Sequence, residues 1–183
     1  MLRPLRGLAM TLRNRGPMSE SVAELYLQYH ASLVRMLHRR TGDRERAEEL
    51  AQEVFARAVA TPPRNPRPWL FAVALNLVRE EGRRMVRRDR RLELYRGEQP
   101  TTAPSPDEEL LRDERITRVR AALATLNERD REALLLQAEG FNYEEIAQTL
   151  GMAKGAIGTT LARARRRLVE AHRALEGTKN VAS

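Results

Sequence analysis

Apolar side chains recur along most of this chain at the spacing of an α-helix. Val22, Leu25, Tyr26, Tyr29, Leu33, Met36 and Leu37 fall three and four positions apart and predict a first helix. Gly42 suits its end, and Asp43 can cap a second helix. Ala47, Leu50, Ala51, Val54, Phe55 and Ala58 mark the buried face of that second helix. A third begins near Pro68, a residue suited to a first helical turn. It runs through Trp69, Val73 and Leu77 into an Arg-rich stretch ending at Arg91. These three helices make a first unit over residues 20–96.

Two stretches break the periodicity. Thr61 to Pro68 holds four prolines and reads as a short rigid loop. Residues 97–109 carry Pro100, Pro104, Pro106 and four acids, and read as a flexible linker. A flexible chain of that length spans roughly 20 Å. At its end, Ser105, Pro106 and Glu108 form a capping box for a helix striped by Ile116, Val119, Leu123 and Leu126. A further helix follows Asn127 and carries Ala133 to Leu136. Two more flank Gly151. In the first, Asn142 caps, Glu145 reaches back, and Tyr143, Ile146, Ala147 and Leu150 face inward. The second starts near Ala153 and turns Ile157, Leu161, Ala164 and Leu168 inward.

No segment alternates with period two. The expected fold class is therefore all-α: two small helical domains joined by a flexible linker, the second containing a helix-turn-helix. Ala147 is small where the two helices cross, Gly151 permits the tight turn, and Ile157 plugs the shared core. The expected organisation is a disordered leader (1–19), a first domain (20–96), the acidic linker (97–109), a second domain (110–175) and a tail (176–183).

Charge adds a class of partner. The 183 residues hold 33 Lys+Arg against 25 Asp+Glu, a net charge of +8, and 31 of the 33 basic residues are Arg. The charge is +4 over 1–19, +5 over 20–96, −4 over 97–109 and +3 over 110–183. Two basic units separated by an acidic linker favour a polyanion such as nucleic acid or an anionic membrane surface. The absence of Cys excludes disulfides and thiolate metal sites, and His30, His38 and His172 are scattered, so no metal or other cofactor is expected. No run of about 18 apolar residues exists to cross a membrane. In Met1 to Pro17, four Arg interrupt every apolar stretch, which excludes a signal peptide and points to the cytoplasm.

The outer face of the second helix of the helix-turn-helix carries Lys154, Thr159, Thr160, Arg163, Arg166 and Arg167. Small hydrogen-bonding side chains at its start suit a major groove, and the arginines that follow suit phosphates. A solvated basic hairpin explains the charge but does not require the small–Gly–apolar triplet. The chain is thus expected to bind DNA. A regulator with a ligand-binding first domain stays open on these features. So does a DNA-processing enzyme, for which Tyr95 is the one faint nucleophile. No nucleotide-binding Gly loop or catalytic cluster is present.

The first domain narrows the class. Its second helix reads Ala47-Glu48-Glu49-Leu50-Ala51-Gln52-Glu53-Val54-Phe55, and its third reads Trp69-Leu70-Phe71-Ala72-Val73-Ala74-Leu75-Asn76-Leu77-Val78-Arg79-Glu80, ending in Arg83-Arg84. Together these resemble region 2 of the sigma-70 family, specifically its extracytoplasmic-function (ECF) group. The stretch from Leu126 to Leu168 resembles region 4. The resemblance covers roughly residues 20–175, in order, without region 3. It implies an alternative sigma factor that directs core RNA polymerase to specific promoters and assists their opening, with no enzymatic activity of its own.

The resemblance also implies site residues. Glu49, Gln52, Glu53 and Phe55 would dock on core polymerase, through its β′ subunit, with β also contacted. Trp69, Phe71, Asn76, Arg79, Glu80, Arg83, Arg84 and Arg87 would bind and help melt the minus-ten element. Lys154, Thr159, Thr160, Arg163, Arg166 and Arg167 would read the minus-thirty-five element. An anti-sigma factor, itself at times membrane-held, is implied as a regulator. The chain departs from the family pattern in places. Its 60–68 loop is short and lacks an aromatic residue, Glu49 stands where Asp is usual, and Asn127 replaces a Pro. Ala156, Gly158 and Thr160 stand where Thr, a basic residue and Arg are common.

Overall fold

Four of the helices start where a side chain satisfies a free amide. Ser21 accepts a hydrogen bond from the Glu24 amide at 3.2 Å while its own amide donates to the Glu24 carboxylate at 2.6 Å. The helix so capped, α1, spans Val22–Thr41. It ends at Gly42, whose φ of 85° is a left-handed conformation and whose N–H donates to the His38 carbonyl at 2.8 Å. The Asp43 carboxylate then accepts from the Arg46 amide at 3.0 Å and opens α2, Arg44–Ala60. Pro66 and Pro68 lie in the first turn of α3, Pro66–Glu93, where helical amides have no partner to lose. The start falls two residues before the expected one.

The computed structural model describes residues 21–93 and 110–180. Its remaining helices are α4 (Leu110–Thr125), α5 (Glu128–Ala138), α6 (Tyr143–Leu150) and α7 (Lys154–Asn180). The described residues contain no strand, as expected of an all-α chain. None of their helices is long and apolar enough to cross a membrane. The leader, Tyr95, the linker with its capping box, and the last three residues lie outside the described part. So do the side chains of Arg90, Arg91 and Ile116.

The core follows the helical stripes. Leu33, Met36, Leu37, Ala47, Ala51, Val54, Leu70 and Phe71 are fully buried where α1, α2 and α3 meet. Ala133, Leu136, Ile146, Ile157, Leu161 and Ala164 do the same for α5, α6 and α7. The two units are in contact: α3 packs on α6 and α1 on α5, and one hydrophobic cluster runs through both. Its bridge is the edge-on pair Phe71–Phe141, with ring centroids 4.7 Å apart at 61°. An interdomain contact between side chains far apart in sequence leaves no periodic trace, so the sequence suggested two units held only by a linker.

Candidate nucleic-acid interface

The helix-turn-helix is built as its sequence suggests. Asn142 Oδ1 accepts from the Glu145 amide at 3.0 Å, and the Asn142 amide donates to the Glu145 carboxylate at 2.8 Å. Gly151 ends α6 at φ 61°, in the left-handed region, and the Met152 amide donates to the Ala147 carbonyl at 2.8 Å. Ile146, Ala147, Ile157 and Leu161 close the space between α6 and α7.

Two residues differ from their expected orientation. Tyr143 is 45% exposed rather than inward. Thr160 is buried rather than outward. The reason for Thr160 is arithmetic: positions 157, 160, 161 and 164 are spaced by three and four, so Thr160 belongs to the inner stripe of α7. Thr159 and Lys154 are exposed, with Lys154 paired to Glu144 at 2.5 Å.

The arginines of α7 are partly committed within the protein. The Asp130 carboxylate is fully buried at the start of α5 and accepts from Arg163 Nε at 3.1 Å and Nη2 at 2.5 Å. It also accepts from Arg167 at 3.2 Å and from the Asn127 side chain at 3.0 Å. The Arg163 hydrogen bond, opposed by burial, holds its carboxyl below the usual aspartate range. Arg166 stays exposed, with a loose pairing to Glu170 at 3.8 Å.

On α3, Asn76 is exposed and accepts from Arg79 Nη1 at 2.9 Å. Arg83, Arg84 and Arg87 are exposed along the same helix, and Glu80 pairs with Arg84 at 3.7 Å. Trp69 is half-buried against the core. Phe71, grouped with these residues in the sequence, is fully buried against Phe141 and presents no face to a base. Two residues from Trp69 on a helix, it points to the far side, so the two aromatics cannot share one surface.

On α2, Glu49, Gln52 and Glu53 share an exposed face. Glu53 pairs with Arg57 at 2.9 Å, and Arg46 bridges Glu49 to Glu81 of α3. Phe55 is buried, its ring 5.0 Å from that of Tyr26 and 6.1 Å from that of His30, so it braces α2 on α1 instead of facing outward.

Several contacts between the two units carry no local sequence signal. Arg79 makes a two-pronged contact to Glu132 of α5, from Nε at 2.8 Å and from Nη2. Glu132 is buried, and burial pushes its carboxyl up despite the arginine. Arg67 donates to Glu145 and to the Glu139 carbonyl, both at 2.9 Å, and lies 4.2 Å over the Phe141 ring. Asn65 donates to Gln148 at 2.8 Å. Arg35 and Arg39 grip Glu139 at 3.0 and 2.7 Å.

Residues 25–91 match the family model for Sigma-70 region 2, and residues 116–168 match that for Sigma-70, region 4. The RNA polymerase sigma factor YlaC of Bacillus subtilis is 31% identical over 153 residues, covering 80% of this chain and 88% of that protein. The ECF RNA polymerase sigma factor EcfG of Rhodopseudomonas palustris is 34% identical over 158 residues, covering 83% and 85%. Among solved structures, the sigma factor RpoE bound to the anti-sigma factor NepR from Bartonella quintana superposes with a TM-score of 0.62 at 26% identity. That match covers 82% of this chain and 96% of the other. Two region matches in order and relatives aligned over most of their length agree with the helix-turn-helix and the arginine-lined α3: the chain belongs to the sigma-70 family, in its ECF group of RNA polymerase sigma factors.

Proposed function

We propose that the sigma-factor work of this chain is divided among three surfaces. The exposed Glu49, Gln52 and Glu53 face of α2 docks on a basic surface of core polymerase, with Phe55 supporting it from beneath. The α3 face holding Trp69, Asn76, Arg79, Glu80, Arg83, Arg84 and Arg87 binds the minus-ten element. There the Trp69 ring offers a stacking surface for an unpaired base, worth roughly 1–3 kcal/mol. The start of α7, with Lys154 and Thr159, enters the major groove of the minus-thirty-five element, and Arg163, Arg166 and Arg167 reach its phosphates. Thr160 supports that helix from inside.

The domains are taken as residues 20–96 and 110–175. Promoter opening needs no chemistry from the chain. Binding that favours separated strands over duplex shifts that equilibrium by its differential affinity. The chain then acts as an initiation factor rather than an enzyme, in the cytoplasm with the polymerase. The observation that carries this reading is the adjacency of an acidic α2 face and an arginine-lined α3 in one unit, followed by a helix-turn-helix.

Regulation by an anti-sigma factor is part of the proposal. RpoE of Bartonella quintana is held by one. In this chain a groove of about 830 Å³ between α1 and α4, lined by Val34, His38, Val119 and Leu123 and edged by Arg44 and Arg120, is the seat we assign to an acidic amphipathic helix of such a partner. Run-off transcription with purified core polymerase tests the main reading. A promoter-specific transcript that depends on the chain is expected. Absence of both transcript and core binding across candidate promoters would overturn it.

A further inference from the structure

We propose that the cavity where the end of α1, the middle of α3 and the start of α5 meet is a binding site for a compact polyphosphate, the di- or triphosphate group of a small anion. This goes beyond the sigma-factor reading, although Arg79, Arg83 and Arg87 also belong to the face assigned to the minus-ten element.

The cavity holds about 530 Å³ and is lined by four arginines from two helices, Arg40 of α1 and Arg79, Arg83 and Arg87 of α3. That volume lies within the range of small-ligand pockets, about 300–1,000 Å³. The three arginines of α3 are four positions apart, so they lie on one side of that helix, about one turn from each other. Gly82, also in the lining, leaves the room between them: a Cβ built there would meet nothing within 4 Å. Arg40 and Arg79 are mostly covered, their side chains 18% and 27% exposed, while Arg83 and Arg87 are open to solvent. One carboxylate, Glu128, lines the same space, 3.9 Å from Arg40 and 3.7 Å from Arg79. Glu132 pairs with Arg79 as well. Four arginines against these two carboxylates leave an excess of two positive charges.

Buried donors in this corner call for an acceptor. Arg40 Nε is buried with no hydrogen-bond partner, and so is Nε of Arg131 on α5. Burial first, and the charge of Arg40 next, push the Arg131 guanidinium below its ordinary range. Two cations pressed together in a partly dry space are relieved by an anion beside them. A guanidinium offers its N–H groups as a planar fork that matches phosphate oxygens, and such charge-assisted contacts are stronger than neutral ones. A strand of DNA spreads its phosphates along its length. A di- or triphosphate gathers several charges in one place, which suits arginines that converge on one cavity from two helices. Bound there, it competes with the minus-ten strand for Arg79, Arg83 and Arg87.

Calorimetric titration of the full-length chain with inorganic tripolyphosphate, at fixed ionic strength, tests the site. One equivalent is expected to bind, about tenfold or more tightly than orthophosphate or sulfate. ATP titrated in the same way separates the sources: equal affinity assigns recognition to the phosphates alone, and higher affinity assigns a nucleotide. Arg40→Gln removes one guanidinium at a residue outside the proposed DNA-binding set. Gly82→Leu fills the space without changing any charge. Each is expected to weaken tripolyphosphate binding about tenfold. Promoter-specific transcription by Arg40→Gln, measured without polyphosphate, is expected to persist. Helix content by circular dichroism confirms folding, and because one variant acts by charge and the other by shape, either one suffices. On the polymerase-bound chain, tripolyphosphate is expected to release a labelled minus-ten oligonucleotide, and to do so less readily with Arg40→Gln. Binding no tighter than that of orthophosphate, or left unchanged by either folded variant, would mean an adventitious ion only and overturn the site. Retention of the oligonucleotide at saturating tripolyphosphate would overturn the competition. Loss of transcription with tripolyphosphate binding intact would overturn the sigma-factor reading instead.

Discussion

Asp130→Asn separates what the α7 arginines do for the fold from what they do for DNA. The carboxylate accepts from Arg163 twice, from Arg167 and from Asn127, and so ties the start of α5 to the middle of α7. Asparagine keeps the shape and one acceptor oxygen but turns an amide toward two guanidinium groups. Charge-assisted hydrogen bonds contribute about 1.5–3 kcal/mol each when removed singly. A fully buried ion pair that loses one partner costs about 3–5 kcal/mol. Here the arginine side chains are 42% and 48% exposed, so they regain water when released and the cost falls below that range. We expect a loss of about 2 kcal/mol, a fall of roughly 4–8 °C in Tm for a chain of this size.

The DNA readout moves the other way. Two released arginines become available to phosphates, and each new contact steepens the salt dependence of duplex affinity by about 0.9 in slope. Titration of a minus-thirty-five duplex at several salt concentrations should therefore give a slope steeper by up to about 1.8 in Asp130→Asn. An unchanged slope beside a lowered Tm would show that the Asp130 contact does not limit what Arg163 and Arg167 give to phosphates. An unchanged Tm would refute the structural role. The pH dependence fixes the sign. Arg163 holds the Asp130 carboxyl below its ordinary value, so its stabilisation is complete above the unfolded aspartate range near about 4 and is lost as pH falls through the folded value. The Tm gap between the two proteins should be flat from neutral pH down to about 5 and narrow only in more acid solution.

Three further outcomes are expected. A Cβ at Gly158, inside α7, would meet Tyr143 Cε2 at an ordinary 3.7 Å, so Gly158→Ala should stabilise by about 0.5–1 kcal/mol in urea unfolding; a loss would mean the α6–α7 crossing is tighter than it looks. Glu49→Lys with Glu53→Lys reverses charge on an exposed face, and should abolish capture by core polymerase with thermal stability little changed; normal capture would place docking elsewhere. Trp69→Ala should reduce permanganate reactivity of promoter thymines more than it weakens duplex binding; normal reactivity would leave Trp69 a packing role alone.

Much of the fold was legible because local rules and tertiary packing agree. Asn142, Glu145 and Gly151 define α6 and its turn in the sequence as they do in space. The starts at Ser21 and Pro66 are less legible than the helices they open, whose apolar stripes are long and regular. The site was less legible where one residue serves two faces. Thr160 lies in a buried stripe by spacing, yet the polar residues around it argue it outward; Phe55 is buried by spacing, yet the family pattern argues it outward. Phe71 beside Trp69 suggested a shared aromatic surface, which the 3.6-residue period forbids. Residues with long-range partners, such as Arg67, Glu132 and Phe141, carry no signal in their own neighbourhood.

The distribution of acids on α5 ties these observations together. Asp130 and Glu132 are two positions apart, about 200° around the helix axis, so they face nearly opposite ways. One grips Arg163 and Arg167 of α7, and the other grips Arg79 of α3. A single eleven-residue helix therefore faces arginines of both α7 and α3, the two helices proposed to meet DNA. Both acids are buried, yet their environments pull in opposite directions. Asp130 is held ionised by its own domain, while the Glu132 carboxyl is pushed up at a contact between domains. The first ties α5 to α7 inside one unit. The second holds α5 against α3 at the contact between the units. One helix thus neutralises arginines on both of its sides, within its own unit and across to the other.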